Sequence, residues 1–274
     1  MTDIVPYVSR LLLYPIKSLD PVGVESTKVL ASGALERDRA FAIFDRSGHF
    51  VNGKRNEKIY ALRAKFNLET NTVSLWIQGT NQINTFQIEK EREALCRWLS
   101  AYFGFPVEVK QNLEMGFPDD TVSPGPTLIS TATLEMIASW YPGLEVEDVR
   151  LRFRTNIEIS GVPPFWEDRL FTEAEETVKF RIGDVQFIGV NPSQRCVVIT
   201  RNPQTGEAYP NFQKTFVRQR QATLPEWVTR SRFNHFYRLA INTRLPMTEA
   251  GKTIRIGDQL SISYEKRRNR QPDF

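Results

Sequence analysis

Over the first hundred residues short apolar runs alternate with turn-forming clusters, the pattern of strands joined by tight connections. Strands are expected at 8–13, 23–29, 39–44, 49–52, 61–68, 72–77 and 85–88, with Arg46-Ser47-Gly48 and Glu69-Thr70-Asn71 as turns. The period then lengthens. Ala94, Leu95, Trp98, Leu99 and Tyr102 recur at helical spacing and predict a helix over 89–103, with Cys96 inside it as a small hydrophobe.

The stretch 112–126 is rich in turn formers and is expected to be a domain boundary or an active-site loop. A helix is predicted over 130–140, with a Ser or Thr cap and Glu135 placed to favour its N-terminus. Strands resume at 151–160, 176–180, 185–190 and 196–200, a further helix is expected at 233–241, and a final strand pair at 253–256 and 259–264. Phe180-Arg181-Ile182-Gly183-Asp184 and Ile254-Arg255-Ile256-Gly257-Asp258 echo one another, which reads as two similar turns. The pattern as a whole predicts an α+β fold, mainly β with some α. At 274 residues, and with roughly 150 residues per domain, two modules are expected.

Composition narrows the class. Hydrophobic residues make up 41% and charged residues 25%, so the chain should fold rather than stay disordered. The net charge of +4 favours an anionic ligand or an acidic partner. Part of it lies in the tail 265–274, with Lys266, Arg267, Arg268 and Arg270, which reads as a solvated tail; no nucleic-acid signature accompanies it. The start of the chain has neither the charge pattern of a signal peptide nor an anchor, and no run approaches the roughly 18 apolar residues of a membrane span. Two cysteines cannot make a disulfide framework for so long a chain, and a reducing, cytoplasmic location is expected.

The most unusual segment is Asn191 to Gly206, where Cys196 follows Arg195 and an Asn-Pro-Ser turn. A thiol at a loop-to-strand junction beside a cation can be held as thiolate, for nucleophilic attack or metal ligation; the bland alternative is a buried strand cysteine. His49 and His235 are distant in sequence and read as surface or turn residues. With no CxxC pair, a zinc site is short of ligands, and an internal four-thiolate iron–sulfur cluster is excluded.

Several blocks resemble a known family. Tyr14-Pro15-Ile16-Lys17-Ser18, then Arg37-Asp38-Arg39-Ala40-Phe41 with Asp45, Gly48, His49 and Phe50, resemble the MOSC N-terminal β-barrel domain. Phe153-Arg154-Thr155-Asn156, Gln194-Arg195-Cys196 and Asn202-Pro203-Gln204-Thr205-Gly206 resemble blocks of the MOSC domain. The blocks stand in the family's order and span nearly the whole chain. The resemblance implies two β-barrel-like modules at 5–120 and 125–264, similar to the amidoxime-reducing components of mitochondria and their bacterial counterparts.

It further implies a molybdenum–molybdopterin cofactor with Cys196 as metal ligand, reduction of N-hydroxylated or N-oxide substrates, and an external donor such as a ferredoxin or flavoprotein. Sulfur carriage or cofactor delivery without turnover are the alternatives, and pyridoxal phosphate binding is an association of the family as a whole. By the same resemblance Lys17, Arg39, Arg154 and Arg195 would meet the cofactor's negative charge, and Ser18, Asn156 and Thr133 would add hydrogen bonds, helped by the helix start at 130–133. Lys54, Asn52, Thr131 and Asn202 depart from the family pattern, which bears on substrate choice and pterin binding.

Overall fold

The computed structural model describes residues 5–263; the basic tail expected at 265–274 lies outside the described residues. The first half of the chain runs β1 (Tyr7–Leu13), β2 (Val22–Val24), β3 (Ser26–Lys28), β4 (Phe41–Asp45), α1 (Lys58–Ala61), β5 (Leu62–Asn67), β6 (Thr72–Ile77), β7 (Asn84–Gln87), α2 (Arg92–Phe103) and β8 (Val107–Gln111). After an irregular crossing come β9 (Leu128–Ser130), α3 (Thr131–Ser139), α4 (Val146–Phe153), β10 (Ile157–Ser160), β11 (Val178–Ile182), β12 (Val185–Gln194), α5 (Phe212–Ala222), β13 (Arg238–Arg244), β14 (Thr253–Arg255) and β15 (Leu260–Ser263). The fold is mixed α/β and mostly sheet, as the alternation predicts.

Eight strands form one sheet in the order β15-β11-β12-β13-β9-β10-β1-β2. Its pairs are antiparallel except β9–β10. The sheet curls until its far side nears β1, where Leu260 N–H donates to Pro6 O at 2.7 Å and Gly257 N–H to Val8 O at 2.8 Å. Alternating residues on the inner face make one core, including Val8, Leu11, Ile157, Phe180, Phe187 and Ile241, all fully buried. Apart from the pair β3–β14, the remaining strands β4–β8 and β5–β6–β7 enclose a second core with α2, whose buried face is Leu95, Leu99 and Phe103. A third core joins α3, α4 and α5, where Tyr141 stacks on Phe212 with ring centroids 4.3 Å apart.

The expected division near residue 120 separates the chain by sequence but not by sheet. Strand β1 pairs with β10 and β3 with β14, so the first segment of the chain is built into the second half.

Some expectations are corrected. The run 23–29 is broken at Glu25 into β2 and β3, which join different sheets, and 49–52 contributes only a bridge between Phe44 and Phe50. Residues 151–153 end α4 rather than begin a strand; a capping box of Glu145 and Asp148 starts that helix. The run 197–200 is a 3₁₀ turn, because Arg201 N–H and Thr200 Oγ1 bond back to Val198 O and Val197 O. Residues 238–241, expected as the end of a helix, belong instead to β13, recruited by the facing edges of β12 and β9. Helix α5 was not foreseen. Its inward face is Phe212, Phe216 and Arg220, the last fully buried on Asp168 and between the rings of Phe165 and Phe233.

A close approach fixes where the 3₁₀ turn Trp166–Leu170 crosses β12: a Cβ on Gly189 would sit 1.6 Å from Leu170 O. Gly189→Ala should therefore lose about 3 kcal/mol in urea unfolding through overpacking, while Gly23→Ala, with nothing within 4 Å, should change stability by less than about 0.5 kcal/mol. Beside that turn Glu167 is 1% exposed with neither carboxylate oxygen partnered. Burial and the Asp168 charge push it up to about 7. A carboxyl whose folded pKa exceeds its unfolded one binds the extra proton in the native state, so stability is lost as pH rises from about 4.5 to about 7. Glu167→Gln should remove that decline, worth on the order of 3 kcal/mol, in unfolding measured from pH 5 to pH 8; a decline left intact would exclude Glu167 as its source.

Candidate functional site

A cavity of about 370 Å³ lies where the two halves meet, walled by residues from 17–62, 118–127, 151–156 and 193–203 together with Asn242. That is the size of a small-ligand cleft. Strand β1 leads into one wall: its exit carries the chain through Tyr14 to Lys17 and Ser18. The neighbouring β10 begins just after Arg154 and Asn156, and the register Leu11↔Ile157 aligns the two ends.

Three of the polar residues on the cavity have left-handed backbones that non-glycine residues adopt at a cost: Ser18 at φ 76°, Arg39 at φ 51° and Arg154, the C-cap of α4, at φ 53°. Each such residue costs on the order of 1 kcal/mol. Their gathering at one cavity marks it as the site around which the backbone is arranged.

The cavity is strongly cationic, with Lys17, Arg39, Lys54, Arg152, Arg154, Arg195 and Arg201 against Asp20, Asp119 and Asp120. Several cations are also anchored within the protein. Lys17 Nζ donates to Phe117 O at 2.8 Å and Asp119 Oδ1 at 2.7 Å, and burial lowers its pKa. Arg154 donates to Leu19 O at 2.7 Å and lies over the Tyr14 ring at 4.2 Å; burial depresses it too. Arg39 pairs with Asp38; burial disfavours its charge, but Asp38 together with Asp119 and Tyr14 outweighs burial and raises the guanidinium pKa.

Arg195 holds Leu239 O through Nε (3.0 Å) and Nη2 (2.6 Å) and Phe153 O through Nη1 (3.2 Å), and burial brings it down to about 10, so it stays charged at neutral pH. These bonds fix the residue just before Cys196. Cys196 itself is an unpaired, partly exposed cysteine on the cavity wall, N-cap to the 3₁₀ turn Val197–Thr200 and extended at φ −116°, ψ −179°. The Asn-Pro-Ser turn and loop-to-strand junction expected at this thiol are instead a strand-to-turn junction, because β12 continues through Asn191, Pro192 and Ser193 to Gln194.

Seven of the eight residues expected from sequence thus share one cavity: Lys17, Ser18, Arg39, Arg154, Asn156, Arg195 and Cys196. Asn156 is 2% exposed and its side chain is spent on the fold, donating to Leu12 O at 3.1 Å and accepting from Thr127 N–H at 3.3 Å. Thr133 is the exception. It is fully buried away from the cavity, accepting from Phe165 N–H at 2.7 Å and from Ser130 Oγ at 2.8 Å. Ser130 Oγ also accepts from the Thr133 N–H at 3.1 Å, and none of residues 130–133 lines the cavity. Thr131 is held by Glu158, itself paired with Arg150. Asn202 makes the turn, Oδ1 accepting from Gln204 and Thr205 N–H.

Sequence reading missed Tyr60, Arg152, Arg201 and Asp119. Arg152 is 3% exposed, bonds Ile199 O at 3.2 Å in the turn after Cys196, and has an unpartnered Nε. Its signal was its place two residues before Arg154. Asp119 sits in the 112–126 stretch already singled out. The 202–206 turn closes the cleft on its other side, with Pro203 O accepting from Arg63 at 3.1 Å and Gly206 packed on the Tyr60 ring. Burial pushes the Tyr60 phenol up to about 12, with Arg201 opposing and Cys196 adding to the rise.

Fold and cleft together define a mixed α/β protein whose two halves enclose a cationic, thiol-bearing cavity. Comparison with known families identifies residues 5–105 as a MOSC N-terminal beta barrel domain and residues 127–261 as a MOSC domain, and the chain belongs to the family that carries these two domains in tandem. It is 27% identical over 229 residues to the molybdenum cofactor sulfurase of Caenorhabditis briggsae, covering 76% of this chain but 31% of that protein. To human mitochondrial amidoxime-reducing component 1 it is 24% identical over 236 residues, covering 73% and 67% of the two chains. The chain thus spans about a third of the sulfurases it matches. The crystal structure of the Bacillus subtilis YUAD protein aligns over 95% of this chain and 97% of that one, at 12% identity and a TM-score of 0.43. Among the described residues no helix is long and apolar enough to cross a membrane.

The two cysteines differ in surroundings. Cys96 lies against the α2 core with its Sγ accepting from Val109 N–H at 3.2 Å, whereas Cys196 lines the cavity. In native chain free of cofactor, a small thiol reagent should modify one cysteine rapidly, and Cys196→Ala should abolish that fast phase. A fast phase that survives in Cys196→Ala and vanishes in Cys96→Ala would assign the accessible thiol to the wrong wall.

Proposed function

We propose that the cleft binds a pterin-based molybdenum cofactor, with the Cys196 thiolate as the protein's ligand to the metal, and that the chain is an oxidoreductase acting on N-hydroxylated or N-oxide compounds. The observation that carries this reading is the presence of Cys196 on the wall of the same cavity as Lys17, Arg39, Arg154 and Arg195. The fit is chemical. A phosphorylated pterin brings negative charge to an excess of cations, some of them buried and offset by carbonyl or ring contacts rather than by carboxylates. Among the described residues no group of three or more His, Cys, Asp or Glu side chains gathers, so a metal at Cys196 would take its other donors from the cofactor, and a soft thiolate suits a sulfur-rich metal environment.

Bound there, the group would supply two-electron chemistry in which the substrate N–O bond breaks, two electrons and two protons enter, and water leaves. The chain's own contribution is position and charge. Lys17, Arg39 and Arg154 would neutralise the anionic end of the cofactor; Ser18 and the backbone around it would add hydrogen bonds. Arg195 would fix the backbone before Cys196, and Arg152, through Ile199 O, the turn after it. Tyr60, held protonated at neutral pH, is a neutral hydrogen-bonding group rather than a base. Electrons would come from an external ferredoxin or flavoprotein, in the cytoplasm, and both halves would be barrel-like modules.

A second reading rests on a specific observation: molybdenum cofactor sulfurases are among the similar proteins. In that reading the same cleft binds the cofactor while Cys196 carries sulfur, or delivers the cofactor without turnover. Pyridoxal phosphate is less well served, since Lys17, the buried lysine of the cleft, has its amine engaged by Asp119 and Phe117 O.

Elemental and pterin analysis of chain made in a molybdenum-replete host tests the proposal. The expected outcome is about one molybdenum and one pterin per chain in wild type and Cys96→Ala, with N-hydroxylated substrate reduced by a chemical donor. Molybdenum should fall at least tenfold in Cys196→Ala. A cyanide-labile sulfur without molybdenum would favour sulfur carriage, cofactor without turnover would favour delivery, and undiminished activity in Cys196→Ala would remove the ligand role.

A further inference from the structure

Lys17 is 6% exposed, and both acceptors on its ammonium, Phe117 O and Asp119 Oδ1, belong to the irregular segment that crosses between the halves. That segment is pinned at each end. At one root Gly116 adopts φ +69°, and a Cβ there would stand 2.5 Å from Asp38 O; Phe117 N–H donates to Arg39 O at 2.9 Å. At the other, a Cβ on Gly125 would stand 2.4 Å from Thr243 O, and Ser123 Oγ accepts from Arg244 Nε at 2.9 Å. Residues 117–124 therefore form a strap with fixed roots.

The strap's contact with Lys17 is lopsided. The lysine side chain is 8% exposed and the aspartate's is 76%, so the aspartate gains little packing from reaching there, while the lysine gains a counter-charge it needs. Burial disfavours the charged form of Asp119, but Lys17, Arg39 and Lys54 together outweigh it and draw the carboxyl down to about 2. At neutral pH it never leaves by protonation. All four side chains line the cavity, so an anion arriving at Lys17 meets a carboxylate already in place.

We infer that Asp119 is the resident occupant of the anion site formed by Lys17, Arg39 and Lys54, and that the strap must lift from Lys17 for a ligand's anionic group to bind. This rests on the anion-binding half of the proposed function. Asp119 determines what can enter. A tethered carboxylate competes at a high effective concentration, so a free carboxylate only exchanges one monoanion for another and makes no headway at millimolar concentration. A phosphate monoester carries close to two charges at neutral pH and attracts the remaining cations after Lys17 is satisfied. The barrier is the same for every anion, and dianions clear it.

Full-length chain produced without molybdopterin, titrated with inorganic phosphate and with acetate in a calorimeter at pH 8 and low salt, tests this. Wild type should bind phosphate measurably and acetate not at all up to tens of millimolar. Asp119→Asn should bind phosphate at least tenfold tighter and bring acetate into range, while Asp120→Asn, which removes the neighbouring charge without freeing Lys17, should tighten phosphate far less and leave acetate out of range. Phosphate should also speed cutting of wild type by a protease that cleaves before Asp119 and Asp120, because the strap is released; this arm needs no variant. Unchanged or weaker phosphate binding in Asp119→Asn, or protection of the strap by phosphate, overturns the inference while leaving the cofactor reading to its own molybdenum analysis. Tighter binding in a chain that never acquires molybdenum upholds Asp119 as occupant and defeats the metal half of that reading.

Discussion

The pairing of β1 with β10 is the constraint on which the site depends. Its register, Leu11↔Ile157, brings the exit of the first strand alongside the entry of the tenth. Lys17 and Ser18 and, across from them, Arg154 and Asn156 are thus carried to one wall although nearly 140 positions separate them. Asn156 locks the arrangement from inside. Its backbone O and side-chain amide bond both ways with Leu12, and its backbone and Oδ1 do the same with Thr127. A residue matched to a binding motif is here a clamp between strands, and its influence on a ligand would pass through the backbone it holds.

Burying so many cations around one cavity is costly, and for three of the arginines the protein offsets this by means other than carboxylates. Arg195 is held by carbonyls, Arg154 by a carbonyl and the face of Tyr14, and Arg152 by a carbonyl and the face of Phe212. Such contacts orient a guanidinium without cancelling its charge. The field inside the cleft therefore stays positive, which is the condition for drawing in an anionic ligand. Left-handed backbone at Ser18, Arg39 and Arg154 adds local strain to the same place, and a bound anion satisfying all three walls would be a reason for the fold to retain it.

Much of this was legible in the chain before any coordinates. Period-two runs locate β1, β4, β5, β6 and β12 within a few residues, and the helical run at 94–102 locates α2, because in each the local pattern and the core it faces agree. The motif blocks bring seven of eight expected side chains to one cavity. The misses have physical causes. The β-branched run 197–200 reads as strand, but no neighbouring edge receives it and Arg152 draws Ile199 O into a turn. The aromatic spacing at 233–241 mimics a helix, yet vacant edges on β12 and β9 recruit its second half. Helix α5 was hidden because part of its inward face is Arg220, a residue that counts as polar in any pattern until Asp168 is placed beside it. Thr133 was assigned to the ligand from its position near a helix start, and only the packing of Phe165 against it reveals where its hydroxyl is used.

The central claim is that the sulfur of Cys196, on the wall of a cationic cleft shared by both halves, bonds a molybdenum ion. X-ray absorption at the molybdenum edge of the loaded chain reads the metal's neighbours directly. Wild type should have one more sulfur neighbour than any residual metal in Cys196→Ser, with an oxygen or nitrogen taking its place in the variant. An identical sulfur count in the two proteins would contradict the claim.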